Sequence, residues 1–508
     1  MLRRLMGSAA CALLLSVTVG GIAPAGAGGA GSAGGSPGST GPSPTVTGPV
    51  TGGGGTPIVF SGQPADRLVG RESFDLADVG YEQTEFFLQG TASAYAPAPG
   101  STLGSDGKWT VQPSSTAPYT TRVVVNRPID RRDFNGTVVV EWLNVSGGAD
   151  ASPDWMHTHV ELIRRGYAWV GVSAQAVGIN GLKAGPPQGD AVRYAALSHP
   201  GDSYSYDMFS QAGQVVRDQA RKVLGGLRPR HVLAVGESQS AGRLVTYIDA
   251  VHPVAQVYDG FLVHSRQAGG APLSQPPQPT VPTATPTLIR DDLDVPVLVF
   301  TTETDTGSLL ARQPDSRRYR LWEVAGTAHF DQYGLLNGAN DTGRRASVAE
   351  WFGTMRNPTT QPNPGFTCGS PINTGPQTFV LRSALAHLDR WVTHGTPPPK
   401  APRYETVSLN PIQYVLDANG NVRGGIRTPA VDAPVATLSG LGQTGTTFCF
   451  LFGTTVPLTE AQLTALYGDH AGFVRAWTWA TLRSTLGGYL RPEDAVNLLV
   501  VGAQADIP

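Results

Sequence analysis

A hydroxyl placed to act as a nucleophile sits in the run Gly236-Glu237-Ser238-Gln239-Ser240. The residues just before it, Val232-Leu233-Ala234-Val235, are apolar and read as a short buried strand; those after it read as a helix running to about Ala250. A strand that turns straight into a helix forces the corner residue into left-handed backbone. It also requires small neighbours, and Gly236 and Ser240 are both small. Such a corner lifts Ser238 off the sheet edge above a helix N-terminus, where N–H groups and the helix dipole favour a developing negative charge. Serine attacks a carbonyl only when a base takes its proton, and the base needs an acid to fix its tautomer. Both kinds of residue lie downstream. Glu303 and Asp305 follow the apolar run Val295 to Phe300, and His329 lies in Ala325-Gly326-Thr327-Ala328-His329-Phe330-Asp331 after Tyr319 to Val324. The chemistry such a set performs is acyl transfer.

Positioning these residues requires a scaffold. Strand-like runs occur at Tyr81 to Tyr95, Thr121 to Asn126, Gly136 to Leu143, Tyr167 to Ser173, Val232 to Val235, Tyr258 to His264, Val295 to Thr301 and Tyr319 to Val324. Helical segments fall between them at Asp154 to Arg165 and Ser210 to Leu224. The alternation predicts an α/β fold, a mostly parallel eight-stranded sheet with helices on both faces. Two insertions are expected, near 185–207 and in the Pro-rich stretch 267–294, either able to overhang the site as a lid or to lie on the surface as a passive loop. From about residue 357 a C-terminal extension follows, with helices at Leu381 to Thr393 and from a Thr459/Gln462 capping box onward. We read it as an accessory layer on the same core.

The corner Gly236-Glu237-Ser238-Gln239-Ser240 resembles the nucleophile elbow of the α/β-hydrolase superfamily, with Ser240 in place of the last Gly. Further phrases resemble a bacterial family of secreted serine hydrolases described as "alpha/beta hydrolase domain": Gly171-Val172-Ser173-Ala174-Gln175, Arg193-Tyr194, His199-Pro200-Gly201-Asp202 and Ala325-Gly326-Thr327-Ala328-His329. The likeness runs from about Tyr81 to the C-terminus and carries no substrate. It implies the α/β-hydrolase fold and the chain order Ser, acid, His. Ser238 is then the nucleophile, His329 the base and Asp305 the acid, with Glu303 as the alternative acid. The oxyanion hole falls to the N–H of Gln239 and one N–H from the loop after the third strand, at Val145 or Ser146. Asn144, His264 and Arg266 are candidate substrate-binding residues, Arg266 as a partner for a substrate carboxylate or in a structural salt bridge.

The rest of the chain sets the context. Arg3 and Arg4, the apolar run Ala9 to Gly20 and the small residues Ala25-Gly26-Ala27 form a signal peptide over residues 1–27. Gly/Ser/Pro/Thr low complexity over 28–56 predicts a disordered linker, leaving 57–508 as the catalytic domain. Of three cysteines, Cys11 leaves with the signal, and Cys368 and Cys449 are expected to form a disulfide worth roughly 4 kcal/mol in the chain-entropy model. A formal charge of −2 with 15% charged residues argues against nucleic-acid and polybasic membrane surfaces, and no stable membrane insertion is expected. His157 and His159 stand two apart on a helix and cannot easily share an ion, and no zinc or dinucleotide motif occurs, so neither metal nor cofactor is expected. Trp142, Tyr204 and Tyr206 are either pocket wall or core. The expectation is a secreted carboxylic ester hydrolase acting on a small-molecule or polymeric ester. The alternatives are a catalytically idle binding protein or, among enzymes, a polyester depolymerase, thioesterase, acyltransferase or peptidase. Oligomeric state is not readable.

Overall fold

Strands β4 (Thr137–Trp142) and β6 (His231–Glu237) lie side by side in the middle of the sheet and show why it forms. Val138, Val140, Val232 and Ala234 face one hydrophobic cluster, while Val139, Leu233 and Val235 face another. Side chains alternate across a strand, so near-continuous apolar runs demand cover on both faces. On the first face α3 (Ser205–Asp218) and α4 (Gln239–Thr246) supply Phe209, Ala212, Val215 and Leu244. On the second, α1 (Pro153–Arg164) and α6 (Gln377–His394) supply Trp155, Leu162, Leu381 and Leu385.

The computed structural model describes residues 43–51, 74–185, 189–362, 367–446 and 448–508. The signal peptide expected at 1–27 and most of the expected linker lie outside them. Nine strands form one sheet in the order β1-β2-β3-β5-β4-β6-β7-β8-β9. The others are β1 (Thr45–Thr47), β2 (Tyr81–Pro97), β3 (Val111–Pro128), β5 (Ala168–Val172), β7 (Gly260–His264), β8 (Val297–Thr301) and β9 (Tyr319–Glu323). From β5 to β9 every pairing is parallel; β1, β2 and β3 add an antiparallel wing.

Several sequence expectations need correction. The disordered linker expected to reach residue 56 contains a strand: Thr45–Thr47 pairs with Phe87 to Gln89, and Val46 is buried in the main core. The second predicted strand begins not at Thr121 but at Val111. Pro113 and Pro118 are tolerated within it because this half of β3 is largely exposed and pairs only with β2. Helix α3 begins at Ser205, inside the stretch expected as insertion, and α2 (Ala176–Lys183) was not anticipated. The elbow helix α4 ends at Thr246 and continues as a π turn over Tyr247–Val251.

The described residues pack as one compact unit, with the C-terminal extension built into it. Helices α5 (Arg345–Arg356), α7 (Glu460–Tyr467), α8 (His470–Leu486) and α9 (Pro492–Gln504) share a third cluster around Trp351, Phe352, Phe473 and Trp477. The Thr459/Gln462 capping box starts α7, and Gly468 at φ +76° separates it from α8. Cys368 and Cys449 are joined as a disulfide. No helix among the described residues is long and apolar enough to cross a membrane.

Candidate active site

Ser238 stands between the end of β6 and the first residue of α4 with φ 59° and ψ −116°, a strained backbone for a residue with a side chain. The corner is held on both sides: Ser238 N–H donates to the His264 carbonyl (2.9 Å), and Gly242 N–H donates to the Ser238 carbonyl (3.1 Å). A Cβ on Gly236 would meet Leu244 Cδ1 at 3.1 Å and Ser240 Cβ at 3.2 Å. Gly236 thus sits where any side chain would crowd Leu244 and Ser240, whereas position 240, fully buried, admits a side chain as small as serine.

The loop after β9 carries His329, which is 3% exposed. Gly326 turns this loop at φ +75°, and His329 N–H donates to Thr304 Oγ1 (3.1 Å). The imidazole lies between two oxygens: Nε2 is 2.7 Å from Ser238 Oγ, and Nδ1 is 2.5 Å from Asp305 Oδ1. Asp305 Oδ2 accepts from Thr302 N–H and Thr302 Oγ1–H, both at 2.8 Å. Burial works to raise the Asp305 pKa, but the charge and hydrogen bond of His329 and the Thr302 donors hold it below the usual carboxylate range. Burial works to lower the His329 pKa, but the carboxylates of Glu237 and Asp305 lift it to about 9.

The alternative acid is engaged elsewhere. Glu303 Oε1 accepts from Gly326 N–H (2.6 Å) and Oε2 from Gly440 N–H (2.8 Å). Fully buried, it has its pKa pushed up to about 7 against the pull of those two amides. It ties the histidine loop to the C-terminal extension.

The loop Asn144 to Gly148 borders the cavity, as expected for an oxyanion contributor, but Ser146 does not fit that role: its N–H donates to Asn144 Oδ1 (2.8 Å). Gln239 opens α4, so its N–H has no intrahelical acceptor, and the Val145 N–H meets no acceptor among the described residues. Asn144 lines the cavity, with its amide directed at the Glu237 carbonyl (3.1 Å) and Glu237 Oε2 (3.2 Å).

Two expected pocket residues lie elsewhere. His264 is fully buried beneath the corner: Gln377 Nε2–H donates to its Nε2 (2.8 Å), leaving Nδ1–H for Asp154 Oδ1 (2.9 Å). Arg266 donates to the carbonyls of Gln267 (3.0 Å), Ala268 (3.0 Å) and Thr287 (2.5 Å), pinning the Pro-rich insertion rather than a substrate carboxylate. The insertions 185–207 and 267–294 contribute no lining residue among those described. Trp142, Tyr204 and Tyr206 are core. His157 packs flat on Tyr333, while His159 Nε2 bonds the Asp341 carbonyl (2.7 Å), and the described residues hold no cluster of three or more metal-ligating side chains.

The cavity at Ser238 measures about 200 Å³. Its apolar lining is Met156, Phe330 and Leu335 together with a second group, Phe448, Leu451 and Phe452. The second group flanks Cys449, so the C-terminal extension completes the pocket. Sequence reasoning missed this wall, although an apolar run of Phe448, Phe450, Leu451 and Phe452 around a cysteine was a usable signal. It also missed Glu237, the variable position of the motif. Its carboxylate lines the cavity, with Oε1 3.1 Å from His329 Nε2.

Residues 46–500 match the family model described as "Alpha/beta hydrolase domain". The chain belongs to this family. Solved structures similar to it include one of two fungal esterases from Rhizomucor miehei (12% identity, TM-score 0.26, covering 50% of this chain and 79% of the other). An α/β serine hydrolase without lid from Xanthomonas campestris aligns at 13% identity and TM-score 0.24, over 45% of this chain and 83% of the other. An esterase domain from Rhodothermus marinus aligns at 11% and 0.24, over 46% and 86%. No curated protein matches the chain significantly. Membership of the family gives the fold as the α/β-hydrolase fold, here extended by the antiparallel wing and the C-terminal helices.

Proposed function

We propose that this protein is an exported serine hydrolase that cleaves carboxylic esters through an acyl-enzyme on Ser238. The observation that carries the reading is the line Ser238 Oγ, His329 Nε2, His329 Nδ1, Asp305 Oδ1, with contacts of 2.7 and 2.5 Å. Asp305 holds the imidazole so that Nε2 faces Ser238. With Nε2 unprotonated, it takes the Ser238 proton as Oγ attacks the ester carbonyl. The oxyanion that forms is met by the N–H groups of Gln239 and Val145, each such donor worth about 3 kcal/mol at the transition state. His329 then protonates the leaving alkoxide, and the alcohol departs. Water, deprotonated by His329, attacks the acyl-enzyme, which releases the acid and restores Ser238.

The cavity of about 200 Å³ with Phe, Leu and Met walls suits a compact apolar group. An ester is favoured over an amide because an alcohol is the easier leaving group for a Ser-His-Asp set and the sequence carries no motif specific to amide cleavage. Export rests on the signal-like residues 1–27 and agrees with the disulfide.

The test is active-site labelling by a fluorophosphonate, together with turnover of a p-nitrophenyl ester series. Wild type is expected to label and to prefer short acyl chains. Ser238→Ala is expected to lose labelling while keeping its fold by circular dichroism. A folded wild type that neither labels nor turns over any ester would overturn the proposal in favour of an idle binding fold.

A further inference from the structure

Three oxygens crowd one imidazole. Asp305 Oδ1 takes Nδ1 at 2.5 Å, and Nε2 lies 2.7 Å from Ser238 Oγ and 3.1 Å from Glu237 Oε1. A neutral imidazole has one N–H, and Asp305 engages it at Nδ1. Nε2 then presents a lone pair. A lone pair facing a carboxylate oxygen at 3.1 Å, with both groups buried, repels it. The contact is favourable only if a further proton lies between Glu237 and His329, and while it lies there Nε2 cannot accept the Ser238 proton.

Glu237 is not free to swing away. It is 4% exposed, it ends a central strand, and the Asn144 amide reaches its far oxygen Oε2 (3.2 Å) and its carbonyl (3.1 Å). We infer that Glu237 is a positioning residue that holds the resting His329 protonated, so that loss of this one proton, shared by the pair, sets the acidic limb of the reaction. The inference rests on the proposed role of His329 as base.

The groups around the pair support it. Asp305, from the loop after β8, adds a second anion to the imidazole. His264 at the end of β7 and Asp154 at the start of α1 face Glu237 from below as a hydrogen-bonded pair. Asp331, in the loop beyond His329, faces His264 and accepts from Gly334 N–H (2.9 Å). The segment 448–452 contributes only apolar lining to the cavity. Burial pushes Glu237 up to about 7 against the pull of His329, while His329 stands at about 9. Between those values the last proton sits on the imidazole. Removing the Glu237 charge lowers the pH at which His329 becomes a base.

The experiment is the pH dependence of kcat/KM for p-nitrophenyl acetate and of the fluorophosphonate inactivation rate, on full-length wild type and Glu237→Gln. The wild-type acidic limb is expected well above the ordinary imidazole value of ~6.5. In Glu237→Gln it moves down by about one pH unit or more, a gain of about tenfold at a pH on the wild-type limb. A wild-type limb at or below ~6.5, or a limb that Glu237→Gln leaves in place, would overturn the inference. A merely structural role for Glu237 would change rates without moving the limb. If Glu237→Gln does not fold, the wild-type limb alone decides. Wild type that labels but shows no such limb sinks this inference only; wild type that reacts with nothing sinks the esterase proposal with it.

Discussion

Replacing Asp305 by Asn tests the catalytic geometry most sharply, because the structure dictates how the amide must sit. Asp305 Oδ2 accepts two hydrogens from Thr302, at N and at Oγ1. In Asp305→Asn the carbonyl oxygen stays on those donors, since turning the NH2 toward Thr302 N–H would oppose two donors. The NH2 then faces His329 Nδ1, which must accept. The imidazole proton moves to Nε2 and points at Ser238 Oγ, so the base carries its proton at the wrong nitrogen. The same substitution in a serine protease triad costs about 10⁴ in kcat. At 1.36 kcal/mol per tenfold this is about 5 kcal/mol of transition-state stabilisation. The assay is kcat on a p-nitrophenyl ester, alongside a thermal melt to show that the variant is folded. Glu303→Gln is the control. Its carboxylate accepts from Gly326 and Gly440, and an amide has one acceptor oxygen for the two. The expected result is a stability loss of about 1–3 kcal/mol with kcat within about tenfold of wild type. A folded Asp305→Asn enzyme that keeps most of its kcat, or a Glu303→Gln enzyme that loses as much as expected for Asp305→Asn, would refute the assignment.

Breaking the Cys368–Cys449 link, by Cys449→Ser or by reductant, releases the wall formed by Phe448, Leu451 and Phe452. KM should rise more than kcat falls, and chemical denaturation should show a loss of up to roughly 4 kcal/mol. Stability should also depend on pH through the His329–Asp305 pair. The lowered Asp305 pKa contributes stability that is full above ~3.9 and lost as pH falls through the folded value. The raised His329 pKa contributes stability that is full below ~6.5 and lost as pH climbs through about 9. Denaturation midpoints across pH should therefore fall on both flanks, with Asp305→Asn flattening the acid one. Truncation after residue 357 should yield insoluble or unfolded protein rather than a minimal hydrolase, as judged by expression and circular dichroism.

The parallel half of the sheet was legible because β4 to β9 are buried on both faces and so read as unbroken apolar runs. The corner at Ser238 was legible because its sterics leave few residue choices. The antiparallel wing was harder: Pro113 and Pro118 obscure the outer part of β3, and Thr45–Thr47 sits in a stretch whose composition signals disorder. Asp305 could not be separated from Glu303 by spacing, since both leave the same strand end, and only the loop conformation decides which carboxylate meets the imidazole. His264 and Arg266 follow the right strand but are fully engaged beneath and beside the site. Strand position fixes which sheet edge a residue reaches, not whether it points into the cavity. Glu237 went unread because a motif treats its variable position as free.

The polar groups under the sheet edge tie the C-terminal extension to the candidate site. A buried carboxylate costs several kcal/mol unless donors surround it, and here the donors come from distant segments. Glu141 caps α1 by accepting from the N–H groups of Asp154 (3.0 Å) and Trp155 (2.9 Å) and from Trp169 Nε1–H (2.8 Å). Asp154, so placed, holds His264, whose backbone carbonyl receives Ser238 N–H. The opposite nitrogen of His264 is satisfied by Gln377, at the start of α6 after residue 357. Glu303, which fixes Gly326 in the histidine loop, takes its second donor from Gly440. Ser238 and His329 are thus each supported through a buried ionisable group whose second partner lies after residue 357. Removing those partners would leave His264 and Glu303 unsatisfied in the interior, a penalty of about 1–3 kcal/mol each before any loss of apolar contact is counted. The extension therefore completes buried polar groups beneath Ser238 and His329 as well as lining the pocket.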